Sequence, residues 1–87
     1  MSEFVLYGTL GCHLCEQAEA LLAPVIQYAS ADMPVVLKQQ DIAESEELVA
    51  RYGVRIPVLR CEVHNRELGW PFDQAQAFAF IQSCSGI

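Results

Sequence analysis

Positive charge is scarce in this sequence: five Lys and Arg stand against eleven Asp and Glu, a formal net charge of −6. The cations Lys38, Arg51, Arg55, Arg60 and Arg66 are scattered and form no cluster. Nucleic acid and anionic membrane are therefore poor partners, since both attract concentrated Lys and Arg. Long hydrophobic runs are also missing. Nothing approaches the roughly 20 apolar residues that a membrane-spanning helix needs. The opening Met1-Ser2-Glu3-Phe4 lacks the basic start and long apolar segment of a secretory signal, so a cytoplasmic location is expected. Linkers, internal repeats and low-complexity segments are absent too. With 87 residues, 53% of them hydrophobic, one domain spanning residues 1–87 and built on a single core is expected, hiding roughly two-thirds of the surface its unfolded chain exposes.

What the sequence does have is four cysteines, two of them three positions apart in Gly11-Cys12-His13-Leu14-Cys15. Such a pair can be a disulfide that opens and closes, half of a metal site, or two small core residues. Disulfide frameworks belong to secreted chains; in a reducing compartment the Cys12/Cys15 pair points to catalysis or metal binding.

The hydrophobic pattern places that pair. Phe4-Val5-Leu6-Tyr7 is a continuous apolar run ended by Gly8 and Gly11, which suits a short strand buried on both faces. Leu14, Ala18, Leu21, Leu22, Val25 and Ile26 then recur at helical spacing, so a helix starts near the cysteines, and Pro24 is expected to kink or split it. Val35-Val36-Leu37 reads as a second strand, and Asp41 with Glu44 has the spacing of a helix-capping box. A second helix through Leu48, Val49 and Tyr52 stops at Gly53. Pro57 opens a third strand in which Leu59, Cys61 and Val63 share one face. His64-Asn65-Arg66 turns the chain back through Leu68 and Trp70. Asp73 and Gln76 repeat the capping spacing before a last helix with Ala77, Phe78, Ile81 and Cys84 on its apolar face. The order β-α-β-α-β-β-α implies an α/β fold with helices flanking a four-stranded mixed sheet, parallel across the first two strands and antiparallel at the hairpin.

A strand followed by CxxC and a helix has the mechanics of redox chemistry. The helix N-terminus offers unpaired N–H groups and partial positive charge, which stabilise a thiolate, and the thiolate is the nucleophile. Cys12, at the helix entrance, is the expected attacking residue. Cys15, one turn in beside Leu14 and Ala18, is the expected resolving residue. A protonated His13 would favour the Cys12 thiolate further; as a solvated surface residue it would have little influence. Cys61 and Cys84 read as ordinary buried thiols, and neither has zinc-knuckle spacing, so no metal ligands are assigned.

The segments "YGTLGCHLC" after the first strand, "DI" after the second, "YGVRIPVL" before the third and "LGW" at the hairpin end resemble, in order, the landmarks of the glutaredoxin-like branch of the thioredoxin superfamily. That resemblance implies a thioredoxin-like fold, thiol–disulfide oxidoreductase activity, and a cis Ile56–Pro57 bond facing the cysteines. It also implies that Gly11, Ile56, Pro57 and Trp70 line a substrate groove, with the Ile56 backbone free to pair with an extended chain. Trp70 at the core edge is the simpler packing alternative. Typical glutaredoxins have a basic residue shortly before the first cysteine, a proline after it, and a double glycine followed by an acidic residue at the end of the last strand. Here Thr9, His13 and Gly69-Trp70 occupy those places. Glutathione is an anion gripped by cationic groups, so this departure argues against it as native substrate and leaves it as a candidate reductant. The expected partner is a disulfide-bearing protein or small thiol, met by a monomer that carries no cofactor. The competing expectations are a metal- or iron–sulfur-binding relative and a non-catalytic interaction module.

Overall fold

The computed structural model of the chain describes residues 2–31 and 34–84. Its elements run β1 Ser2–Gly8, α1 His13–Ala29, β2 Val35–Asp41, α2 Glu46–Tyr52, β3 Val58–Cys61, β4 Arg66–Gly69 and α3 Gln74–Cys84, with a single 3-10 turn at Ile42–Glu44. The four strands form one mixed sheet ordered β2-β1-β3-β4. β1 lies parallel to β2 and antiparallel to β3, and β3 pairs antiparallel with β4. The architecture is the thioredoxin-like α/β arrangement, in the element order implied by the hydrophobic pattern.

β1 is central, and its pleat supplies two separate cores. Phe4 and Leu6 point into the larger cluster with Ala18, Leu22, Leu59, Phe80 and Ile81, between the sheet and helices α1 and α3. Val5 and Tyr7 point the other way, packing with Ile42, Tyr52 and Val58 beneath α2. This is why the Phe4–Tyr7 run is apolar without alternation: both faces of the strand are covered. Each fully buried large side chain contributes about 1.5–3 kcal/mol of burial free energy, so the Phe4, Leu22 and Leu59 group anchors the fold.

The smaller core carries a polar lock. The Tyr7 and Tyr52 rings stack at 4.4 Å, and the Tyr52 hydroxyl donates to Glu67 on β4. Arg55 reaches the other oxygen of the same carboxylate at 2.8 Å. The Tyr52 hydrogen bond, aided by Arg55, holds the Glu67 carboxyl below its ordinary value. Burial, followed by the contact with Glu67, pushes the Tyr52 phenol up.

Several local expectations change. Pro24 does not divide α1, which runs through it as one helix. Pro24 and Ala20 both lie on the exposed side, where the carbonyl that the proline leaves without its usual helical partner faces water. Leu14 is 47% exposed and outside the core. Asp41 caps the 3-10 turn, accepting from the Ala43 N–H at 2.9 Å, while Ser45 caps α2 by accepting from the Leu48 N–H. Gly53 follows α2 in a right-handed conformation. A Cβ there would approach the Val49 carbonyl oxygen to 2.5 Å, so close contact rather than positive φ explains the glycine. β3 ends at Cys61, leaving Val63 exposed in a turn closed by Asn65 at φ 55°. In α3, Phe80 occupies the core, and Phe78 is only partly buried against its edge. The Asp73–Gln76 capping box does form, reciprocally, at 2.7 and 2.9 Å.

Candidate redox site

Strand register gathers the site at one end of the sheet. Gly8 at the end of β1 pairs with Asp41 of β2, Tyr7 pairs with Val58 at the start of β3, and Val58 pairs with Gly69 of β4. Gly11-Cys12, Ile56-Pro57 and Trp70 therefore leave the sheet at the same rim. The Trp70 N–H donates to the Pro57 carbonyl at 3.2 Å, which ties the hairpin to the β3 entrance. Both Ile56–Pro57 and Trp70–Pro71 are cis.

Cys12 is the N-cap of α1. Its extended backbone lets its carbonyl accept from the Glu16 N–H at 3.1 Å, while its Sγ accepts from the Cys15 N–H at 3.1 Å. The sulfur thus occupies the position that an oxygen cap usually fills, at the positive end of a seventeen-residue helix. A thiolate gains from that position because a donor is already aimed at it. Cys12 and Cys15 are joined as a disulfide, with Cα atoms 5.2 Å apart. Cys12 is half-buried and Cys15 buried, so only the first sulfur is open to a large partner.

Two glycines make this geometry possible. Gly11 has φ +77°, the left-handed turn that delivers Cys12 to the helix start. Gly8 matters for a different reason: a Cβ there would stand 3.1 Å from the Cys15 Sγ and 3.2 Å from its Cβ. The pattern marks Gly8 only as a strand end; its packing against the resolving sulfur becomes visible once β1 and α1 are assembled.

The remaining candidates divide. The His13 ring is 91% exposed and meets Glu16 at 3.2 Å, so a carboxylate offsets any positive charge it carries near Cys12. Pro57 is fully buried. The Ile56 N–H is not free for a substrate strand, because it donates to the Tyr52 carbonyl at 3.0 Å; among the described residues its carbonyl accepts no such backbone bond. Trp70 is half-buried, packed on the larger core with its ring edge-on to Phe72 at 5.1 Å, so it takes the core-edge position.

A cleft of about 390 Å³ flanks Cys15 on the β2 side, lined in part by Glu16, Glu19, Asp41 and Glu44. No cation lines it, so an anionic ligand would be repelled there. Leu10, 90% exposed just before Gly11, and Val54, fully exposed just before the Arg55-Ile56 entrance, add apolar surface at the same rim. Among the described residues, no group of three or more His, Cys, Asp or Glu is arranged to hold a metal, and no helix is long and apolar enough to cross a membrane.

Solved structures share this arrangement. The solution structure of XcR50 from X. campestris is 35% identical, with a TM-score of 0.76 and coverage of 95% of each chain. Protein Ne2328 from Nitrosomonas europaea is 30% identical, with a TM-score of 0.70, covering 92% of this chain and 91% of its own. A thioredoxin mutant from Halobacterium salinarum, 20% identical, has a TM-score of 0.68 over 99% of this chain and 76% of its own, a likeness of fold. No curated protein matches in sequence. The sequence profile of the glutaredoxin-like domain (DUF836) matches residues 3–82. With a profile match over nearly its whole length and relatives at 30% identity or more across more than nine-tenths of it, this chain belongs to the glutaredoxin-like domain family.

Proposed function

We propose that this domain is a thiol–disulfide oxidoreductase that works through Cys12 and Cys15 on a disulfide-bearing protein or mixed disulfide. The carrying observation is the N-cap geometry: a half-open Cys12 sulfur at the α1 entrance, accepting the Cys15 N–H, with the second sulfur buried behind it. In the reduced protein the Cys12 thiolate attacks one sulfur of the substrate disulfide. A new S–S bond forms, the substrate bond breaks, and its other sulfur leaves as a thiolate that takes up a proton. Cys15 then loses its proton and attacks the Cys12 sulfur, expelling the second substrate thiol and closing Cys12–Cys15. The substrate has gained two electrons and two protons; the protein has lost them. Two equivalents of a monothiol such as glutathione, or one dithiol, restore the reduced pair.

The acidic cleft and the absence of cations along it support a protein or weakly charged disulfide in preference to anionic glutathione as the substrate. His13 tunes Cys12 only weakly in this reading, because Glu16 stands against it. Gly11 and the Ile56 carbonyl form the wall a substrate chain would meet, with the buried Pro57 and the half-buried Trp70 ring behind it. The domain acts as a cytoplasmic monomer without a bound cofactor.

The test is to equilibrate the protein in graded glutathione buffers, trap free thiols with a mass tag, and count them. A reversible two-thiol transition between roughly −270 and −120 mV is expected. Cys12→Ser should abolish reductase activity, and Cys15→Ser should accumulate a mixed disulfide at Cys12. A pair that never closes would sink this reading and leave a partner-docking module, while colour or bound metal after anaerobic purification would favour an iron–sulfur carrier.

A further inference from the structure

Cys61 and Cys84 stand 23 positions apart in the chain, and the fold brings them into one cluster. Cys61 closes β3 and pairs in register with Arg66 of β4. The Arg66 guanidinium donates to the Ser83 hydroxyl at 3.0 Å and lies over the Phe80 ring at 5.7 Å, tying the start of β4 to the end of α3. Cys84 follows Ser83, and both cysteines are 1% exposed in the same apolar cluster. Burial first, and then interaction with the adjacent Cys61 thiol, push the Cys84 thiol up. Both thiols lie in this one cluster, where the Arg66–Ser83 hydrogen bond holds the β3–β4 hairpin to the end of α3 and the Cys61 thiol acts on Cys84.

We propose that Cys61 and Cys84 form a second redox pair, which a small peroxide oxidises to a disulfide stapling β3 to α3, while bulky disulfides are confined to Cys12. Burial sets that selectivity. A protein or peptide disulfide cannot align a sulfur with a core thiol, whereas hydrogen peroxide is scarcely larger than water. In the first step one of the two thiols, as its thiolate, attacks a peroxide oxygen. The O–O bond breaks, leaving a sulfenic acid on that sulfur, and the departing hydroxide takes up the thiol's proton as water. The second sulfur then attacks the sulfenic sulfur, forming S–S and breaking S–O; the released hydroxide and the second thiol proton make another water. Peroxide has accepted both electrons. Ionisation of the Cys84 thiol is suppressed, so the reaction is slow and answers to sustained exposure.

The double variant Cys12→Ser/Cys15→Ser leaves Cys61 and Cys84 as the only thiols, which separates this pair from the redox site proposed above. The folded variant is exposed to hydrogen peroxide, quenched, unfolded, alkylated and weighed. The expected product is a monomer lighter by two hydrogens, with no alkyl group added, yielding a linked Cys61–Cys84 peptide on digestion and regaining two thiols with dithiothreitol. Treatment with oxidised glutathione at matched oxidising equivalents should leave both thiols free. Two alkylated thiols after peroxide, separate oxygen adducts, or an intermolecular dimer would overturn the proposal. If the double variant does not fold, peptide mapping of peroxide-treated wild-type protein decides: a Cys61–Cys84 link supports the pair, and its absence, or a link from either residue to Cys12, refutes it.

Discussion

The two cysteine pairs contain the same atoms in opposite surroundings. Cys12 and Cys15 sit on the first turn of α1, where a backbone donor is aimed at one sulfur and solvent reaches it. Cys61 and Cys84 lie in the larger core, each 1% exposed, among aromatic and aliphatic side chains. On the proposed reading, backbone position and access assign thiol reactivity: a helix start and a left-handed glycine would make one pair fast, and close packing would make the other slow.

Alkylation of the fully reduced protein sharpens that contrast most. Cys12 should react with iodoacetamide on the order of a thousand-fold or more faster than Cys61 or Cys84, because core thiols wait for an opening that costs several kcal/mol. Time-resolved peptide mapping reads this directly; comparable rates at all four positions would erase the distinction.

Gly8→Ala tests the support behind the fast pair. Its methyl would stand 3.1 Å from the Cys15 Sγ, moving the resolving sulfur by tenths of an ångström. The expected result is roughly ten-fold slower turnover, since small misplacements of reacting atoms are costly, with mixed disulfide accumulating on Cys12. Unchanged turnover would mean that Cys15 has room to adjust.

Cys84→Ser probes the slow pair in the other currency, stability. A hydroxyl placed at this apolar site should cost about 1–3 kcal/mol in urea unfolding and leave Cys12 activity unaltered. Equal loss of activity would show that the two ends of the fold are not independent.

Glu67→Gln addresses the smaller core, on the opposite face of the sheet from Cys61 and Cys84. Loss of the charged acceptor for Tyr52 and Arg55 should lower stability by about 1 kcal/mol at neutral pH. The folded carboxyl is held below its ordinary value, so its contribution is present above the unfolded pKa of about 4.3 and fades as pH falls through the folded value. Wild-type and variant unfolding curves should therefore converge under acid conditions.

Much of this was legible in the sequence because local rules govern it. The β1 run, the CxxC at a helix start and the Asp73–Gln76 cap follow from periodicity and side-chain reach alone. The near misses occur where two local solutions compete. Asp41 and Ser45 both have capping chemistry, and the extension of β2 to Asp41 leaves Ser45 to start the helix. Phe78 and Phe80 both suit an amphipathic face, and it is Phe80 that meets the Phe4 ring edge-on in the core. Leu14 has the right spacing for the core yet stands half exposed on the first turn of α1. What no local pattern could announce is long-range adjacency: Gly8 against the Cys15 sulfur, Tyr52 bonded to Glu67, and Cys61 beside Cys84. These depend on which elements the sheet order β2-β1-β3-β4 places together.

That strand order also decides who can attach to the molecule. Its two outer strands carry Lys38 on β2 and the exposed Arg66 and Glu67 on the four-residue β4. The shortness and charge of β4, and the lysine on the seven-residue β2, are features that resist recruiting a foreign strand into the sheet. On the proposed function, a domain that exchanges disulfides with loosened, cysteine-bearing chains would risk being drawn into their aggregates, and such margins would discourage that capture while leaving the Cys12 rim open for brief, reversible encounters.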